Sequence, residues 1–272
     1  MLAKGVSALQ EADIVDASLD AWLLLEYVSG LGRADYFLHQ QENAAGKAQE
    51  QYQELIAKRC HNVPLQHLTG CQEFMGLEFL VNEDVLIPRQ DTELLVEKLL
   101  PFVTGKRVLD LCTGSGCIAI SLSVLGTPRK IDATDLSEKA LLLAQGNAAR
   151  LGGQVSFLKS DLFQNVMERY DVIVSNPPYI ATDVIKTLMP EVREHEPVMA
   201  LNGGADGLGF YRQIAKQARQ YLNPNGTVWV EIGYDQRESV SRIFLEQGFG
   251  KVECYQDLCG MDRVISVTLW DN

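Results

Sequence analysis

Residues 108–124 read VLDLCTGSGCIAISLSV, and the order of features in this stretch decides the architecture of the chain. An apolar run, Val108 to Leu111, enters a turn of small residues, Cys112-Thr113-Gly114-Ser115-Gly116, and a helix-forming stretch follows from Ile118. Small residues let a backbone approach a ligand closely, and free amide groups at the start of a helix favour polar or anionic groups. The dinucleotide fingerprint G-x-G-x-x-G is not met, because the third Gly is absent and Cys112 stands where the first would be. A Gly-containing turn alone is equally consistent with a tight strand-to-helix connection, so the surrounding pattern has to decide.

Outward from this stretch, apolar runs recur at 107–111, 131–136, 155–158, 170–174, 227–232, 252–258 and 264–270, with helical stretches between most of them. Ala140, Ala144, Ala148 and Leu151 fall on one face of a helix ended by Gly152, and Tyr211, Ile214, Ala215, Ala218 and Leu222 fall on one face of another. Strands alternating with helices predict an α/β fold, a doubly wound, mostly parallel, seven-stranded sheet. Only Cys259-Gly260-Met261-Asp262-Arg263 separates the last two runs, which are therefore expected to pair antiparallel at the edge.

Residues 1–70 lack strand alternation and predict a small helical bundle. Leu19, Trp22, Leu23, Tyr27 and Val28 recur at helical spacing before Gly30, as do Tyr52, Leu55 and Ile56 further on. This domain reads either as a packing or dimerisation module or as a substrate-docking one. In residues 71–90, Phe74, Leu77, Phe79 and Val81 alternate around the turn former Gly76, which predicts a β-hairpin connector. Asp91 is the expected N-cap of the helix that opens the third domain, 91–272.

Three further segments sit at expected strand ends. Asp135 lies 19 residues after Gly116, where a carboxylate can accept hydrogen bonds from ribose hydroxyls; its alternative role is to cap the helix that begins near Ser137. With no pyrophosphate-tuned glycine pattern, the pair of sites favours S-adenosylmethionine over a dinucleotide. Asp161 and Leu162 follow the third strand, where they can flank an adenine ring or simply pack in the core.

The last segment is Ser175-Asn176-Pro177-Pro178-Tyr179. Two prolines can neither donate to a strand ladder nor continue a helix, so the strand must stop at Asn176. The Asn176 side-chain oxygen and the Pro177 carbonyl are two acceptors able to hold both hydrogens of one planar –NH2, and Tyr179 can stack on a flat group. Such a nitrogen is a weak nucleophile, so alignment with an electrophilic methyl is the main lever, worth roughly 7–11 kcal/mol.

With these residues, the chain resembles the glutamine N5-methyltransferases that modify peptide chain release factors. The resemblance is carried by PLQHLTGCQEFMGLEFLVNEDVLIPRQDTELLVE (64–97), VLDLCTGSGCIAISLS (108–123), DVIVSNPPYI (171–180), EVREHEPVMALNGGADGLGFYRQI (191–214), EIGYDQ and DLCGMDRVISV. It implies a class I S-adenosylmethionine methyltransferase fold. The methyl would pass to the glutamine of a Gly-Gly-Gln loop in a release factor. Cys112, Thr113, Gly114, Ser115, Gly116, Asp135, Asp161, Leu162 and Asn176 would contact the cofactor; Asn176, Pro177, Pro178 and Tyr179 would hold the amide. The family often has Gly at the place of Cys112 and sometimes an aromatic at that of Leu162.

The segment 181–209 has few apolar anchors and is expected to form a mobile flap, with His195 anchoring it by a hydrogen bond rather than serving as a base. Arg89 and Glu93 are expected either to shape the substrate mouth or to form structural ion pairs. The formal net charge is −12 and no basic stripe is visible, which argues against direct nucleic-acid binding. That matters because the competing reading is a nucleic-acid adenine N6-methyltransferase, whose target is also a planar amine. A non-catalytic cofactor-binding protein is the second alternative. No apolar run reaches membrane-spanning length, and six cysteines without metal-ligand spacing point to a cytoplasmic, metal-free protein, expected to be monomeric.

Overall fold

The computed structural model describes residues 1–39 and 46–269. They form two compact units: residues 1–71 together with 189–195, and residues 72–188 together with those from 196 onward.

The first unit contains α1 (Leu2–Glu11), α2 (Ala17–Ser29), α3 (Arg33–His39), α4 (Gly46–Cys60) and α5 (Leu65–Thr69). Its core gathers Leu9, Leu24, Leu25, Tyr52, Leu55 and Ile56, so α4 buries the expected face. On α2 the expected face holds in part: Trp22 is buried and Leu23 and Val28 pack against the core, but Leu19 and Tyr27 are 47% and 50% exposed, while Ala17, Asp20, Ala21, Leu24 and Leu25 are buried. Apolar residues surround most of α2, so periodicity does not choose its face. Asp20 helps to set it instead, by accepting a hydrogen bond of 2.7 Å from Arg59 Nε. Arg59 Nη2 also lies 2.8 Å from Glu191 Oε2.

The second unit begins with a hairpin of β1 (Cys71–Phe74) and β2 (Leu77–Leu80), joined by Met75 and Gly76, both left-handed (φ 54° and 71°), as a two-residue hairpin turn requires. There follow α6 (Gln90–Leu99), β3 (Arg107–Leu111), α7 (Cys117–Leu125), β4 (Lys130–Asp135), α8 (Glu138–Leu151), β5 (Ser156–Lys159) and β6 (Tyr170–Ser175). Next come α9 (Thr182–Ile185), α10 (Pro190–His195, in the first unit), α11 (Val198–Leu201), α12 (Gly209–Tyr221), β7 (Leu222–Glu231), α13 (Arg237–Glu246), β8 (Val252–Gln256) and β9 (Asp262–Thr268). The expected end of the last strand at Trp270 lies outside the described residues.

The large sheet has the order β5-β4-β3-β6-β7-β9-β8. The first five strands are parallel, and β9 runs antiparallel to both β7 and β8. Leu109, Ile173 and Val228 pack into one core with Tyr211 and Ile214 of α12. Their chain neighbours Val108, Val172 and Trp229 pack into another with Ile118 and Leu122 of α7. Alternate residues thus feed opposite faces, each covered by helices, which is the doubly wound arrangement. The chain leaves β3 toward β4 and returns to the other side of β3 through β6. The crevice at that reversal, beyond the carboxyl ends of the strands, is where such sheets bind ligands.

Two expectations are corrected here. Helix α6 starts at Gln90 with Arg89 as its extended cap residue, and Asp91 sits in the first turn, 3.0 Å from Arg263 Nη2. Pro88 and extended Arg89 deliver the chain into the helix two residues earlier than a capping Asp91 would. The segment 181–209 is anchored. Ile185, Glu196 and Leu201 are buried, and Gly203 N donates to Ile180 O at 2.8 Å. His195 Nε2 lies 3.2 Å from the carbonyl oxygen of His61, an anchoring contact inside the first unit.

Candidate active site

Four strand ends meet the crevice. After β3 the chain turns through Cys112 to Gly116, β4 delivers Asp135, β5 leads to Asp161 and Leu162, and β6 delivers Asn176, while β7 ends on the buried Glu231, outside the lining. Cys112 adopts a left-handed conformation (φ 58°), which explains why Gly suits this position better. Gly116 has φ 82°, and a Cβ there would come within 2.7 Å of Ile120 Cδ1 and 3.1 Å of Ala144 Cβ, so the glycine lets α7 and α8 close under the loop.

A cleft opens at these strand ends. Of the residues singled out in the sequence, Cys112, Thr113, Gly114, Ser115, Asp135, Asp161, Leu162, Asn176 and Pro178 line it. Gly116, Pro177 and Tyr179 do not. Gly116 supports the loop from beneath. Tyr179 turns toward the core, where its hydroxyl donates to Glu231 Oε1 at 3.1 Å. Arg89 lines the cleft and pairs with Glu196, whereas Glu93 accepts from the Met75 amide and fastens the hairpin turn. Pro197, Met199 and Phe210 add apolar wall that the sequence did not single out.

Asp135 accepts from two backbone amides, and the cap of α8 falls to Ser137. Oδ2 accepts from Gly114 N and Oδ1 from Ser137 N, each at 2.9 Å, while the Ser137 hydroxyl caps α8 by accepting from Ala140 N. Each oxygen keeps a lone pair for a further donor, as a ribose diol needs. Burial raises the Asp135 carboxyl, and the Ser137 and Gly114 amides pull it back. No atom lies within 4 Å of a Cβ built on Gly114, so the loop leaves room beside it. An open cradle, a carboxylate with spare acceptors, and Leu162 on the wall fit a nucleoside-bearing cofactor.

Four polar residues that sequence reasoning missed support these groups. Asp110 is fully buried in β3 and accepts from Thr113 Oγ1 at 2.6 Å. Burial pushes its carboxyl up to about 7 against the Thr113 hydroxyl and the Ala119 amide. Asn147 of α8 is also fully buried. Its Oδ1 accepts from Leu80 N at 2.8 Å, and its Nδ2 donates to Leu80 O and Ser115 O, each at 3.0 Å. It therefore joins β2 to the loop after β3. Thr92 of α6, also buried, accepts from Asn176 Nδ2 at 3.1 Å. Glu231 closes the set, its carboxyl raised to about 7 by burial while the Thr92 and Tyr179 hydroxyls lower it. An acid inside or closing an apolar strand, as in VLDL and VWVE, was the available signal for two of the four.

The PrmC N-terminal domain matches residues 1–70, and the methyltransferase small domain matches residues 89–193. The release factor glutamine methyltransferase of Agrobacterium fabrum is 40% identical over 267 residues, covering 95% of this chain and 92% of its own. That of Geobacter sulfurreducens is 41% identical over 259 residues, covering 94% and 91%. Among solved structures, a T. thermophilus 16S rRNA methyltransferase in complex with AdoMet and guanosine superposes with a TM-score of 0.51 at 18% identity, over 73% of this chain and 49% of that one, which shows the shared fold. With identity of this order sustained along nearly its whole length, the chain belongs to the release factor glutamine methyltransferase family.

Proposed function

We propose that the chain methylates the side-chain amide N5 of the glutamine in the Gly-Gly-Gln motif of peptide chain release factors. S-adenosylmethionine is the methyl donor and, when bound, supplies an electrophilic carbon on a sulfonium. The observation that carries the reading is Asn176. It ends β6 on the cleft wall, with Nδ2 committed to Thr92 and Oδ1 left to accept from a ligand.

Asp135 is the group for the ribose hydroxyls, the Cys112–Gly116 loop passes beside the cofactor, and Leu162 with Asp161 flanks its base. Asn176 Oδ1 accepts one amide hydrogen of the glutamine, with Pro178 on the wall beside it. In this grip the nitrogen is aimed at the methyl carbon, and the acceptor stabilises the positive charge that builds as the new bond forms. The surplus proton leaves the nitrogen after transfer, so no strong general base is needed. Buried acidic groups around the loop, Asp110 and Asp135 among them, favour a cationic ligand over an anionic one.

Release factors are the partners in this reading, and the protein acts as a cytoplasmic monomer. No helix among the described residues is long and apolar enough to cross a membrane. Mass spectrometry of a release factor incubated with the protein and the cofactor tests the function. One added methyl on the Gly-Gly-Gln peptide is expected; methylation of adenine in DNA supplied in parallel, with the release factor unchanged, would overturn it.

A further inference from the structure

Pro177 and Pro178 carry no amide N–H, so this stretch of chain is held to the protein through carbonyls and side chains. Just beyond the prolines, Ile180 pairs with the segment that follows α11. Its N donates to Leu201 O at 3.0 Å, and its O accepts from Gly203 N at 2.8 Å. Tyr179 is held differently. Its carbonyl oxygen accepts at 3.0 Å from Nε2 of Gln236, the residue that precedes α13.

A carboxamide can sit in two senses, because half a turn about its last torsion exchanges oxygen and nitrogen. At Gln236 the backbone decides between them. Oε1 accepts from Gly233 N at 3.0 Å, and a backbone amide only donates. Nε2 faces Tyr179 O and, at 3.5 Å, Gly207 O, and carbonyl oxygens only accept. The reversed amide would set oxygen against two carbonyls and N–H against N–H. The Tyr211 hydroxyl, which donates to Glu231 O at 2.8 Å, lies 3.3 Å from Oε1 on the same side. Gly207 makes room for the contact: a Cβ there would collide with Tyr179 O and lie 2.9 Å from Gln236 Nε2.

We propose that Gln236 is a positioning residue whose Nε2 fixes the Tyr179 carbonyl, and with it the placement of the Asn176–Tyr179 corner. This rests on the reading of Asn176 as acceptor for the substrate amide. Gln236 does not line the cleft, so it acts through the corner.

The test uses the full chain, a release factor and saturating S-adenosylmethionine. Gln236→Met, similar in length but without the amide, should lower kcat about ten- to a hundredfold, the scale of a small misplacement of reacting groups. Affinity for S-adenosylhomocysteine by calorimetry should be unchanged, because the Cys112–Gly116 loop and Asp135 are untouched. Gln236→Glu gives a readout that packing alone would not move. Ionised, the new carboxyl turns an oxygen toward Tyr179 O; protonated, it donates an O–H to that carbonyl while its other oxygen keeps the Gly233 amide. Burial beside carbonyl oxygens raises such a group toward neutral pH, so the ratio of variant to parent kcat should climb as pH is lowered from about 8 to about 6. The same ratio for Gln236→Met should stay flat.

A Gln236→Met protein with the parent's kcat, or a Gln236→Glu ratio that does not move with pH, overturns the proposal; the Asn176 reading then survives if Asn176→Ala is inactive. Asn176→Ala turning over normally fails that reading and this one together. A loss of kcat in Gln236→Met matched by a loss of S-adenosylhomocysteine affinity means that the whole cleft has shifted, and also overturns the positioning role. If Gln236→Met melts below the assay temperature, the pH series of Gln236→Glu decides alone.

Discussion

Arg89 Nη2 lies 2.7 Å from both carboxylate oxygens of Glu196, and the two residues are 107 positions apart in the chain. Glu196 is 5% exposed and stands directly before Pro197 and α11, whose Met199 and Ala200 line the cleft. The pair thus fastens one cleft wall to the cap residue of α6. Removing Arg89 takes a guanidinium away from a buried carboxylate, the costly half of breaking such a pair. Arg89→Ala should destabilise the protein by about 2 kcal/mol, reduced from the fully buried case because the guanidinium reaches solvent. Adding Glu196→Gln should restore part of it. Urea midpoints of the two variants check both statements.

Gly203 presses on the Pro178–Tyr179 backbone. A Cβ there would lie 2.8 Å from Gly207 O, from Pro178 O and from Tyr179 Cα, all backbone atoms that no rotamer change can move aside. Gly203→Ala is therefore expected to displace the Asn176–Tyr179 corner and reduce methyl transfer at least tenfold. Gly146, inside α8 with nothing within 4 Å of its would-be Cβ, is the control. Gly146→Ala should stabilise by about 0.5–1 kcal/mol through helix propensity alone. Steady-state kinetics and thermal melts distinguish the two substitutions.

The sheet was legible because burying a strand on both faces demands continuous apolar runs, and the Asn176 stop was legible because two prolines forbid any continuation. Connectivity also followed, since the five residues between the last two runs allow only an antiparallel return. The α2 face was hidden, because a helix apolar on most sides carries no phase, and a partner 39 residues away at Arg59 drew Asp20 inward. The supporting polar groups were hidden for the same reason. Thr92 is an ordinary helix residue until β6 brings Asn176 beside it, 84 positions later. Tyr179 was readable as an aromatic at the site, but the direction of its ring depended on a buried acid in the neighbouring strand.

Asn147 ties the hairpin to the loop after β3 with three hydrogen bonds from one buried amide. Asn147→Ala removes all three and leaves the Ser115 carbonyl without that donor under the loop. A loss of about 2 kcal/mol is expected, with weaker binding of S-adenosylhomocysteine because the loop is no longer held. Asn147→Asp keeps the bond from Leu80 N but cannot donate, and should be no better. Calorimetric titration alongside denaturant unfolding measures both effects.

Asp110 and Glu231 give the stability of the protein a specific pH dependence. Burial raises both carboxyls to about 7, from ordinary values of 3.8 and 4.5. Between those limits the folded state binds more protons than the unfolded one, so stability falls as pH rises. The contribution is fully present below the unfolded values and is lost as pH climbs through 7. Acids whose folded values are depressed, such as Asp206 and Asp257, change stability only at lower pH, while Asp135 and Asp20, also raised by burial, act in the same direction as the pair. The melting temperature without cofactor should therefore decline from pH 5 to pH 8. Asp110→Asn keeps an oxygen for the Thr113 hydroxyl and cannot ionise, so its decline should be shallower and its advantage over the parent greatest at pH 8, by a few kcal/mol at most. Melting curves at intervals across this range decide the point: a parent protein whose melting temperature rises toward pH 8 would mean that Asp110 folds as an ordinary ionised carboxylate.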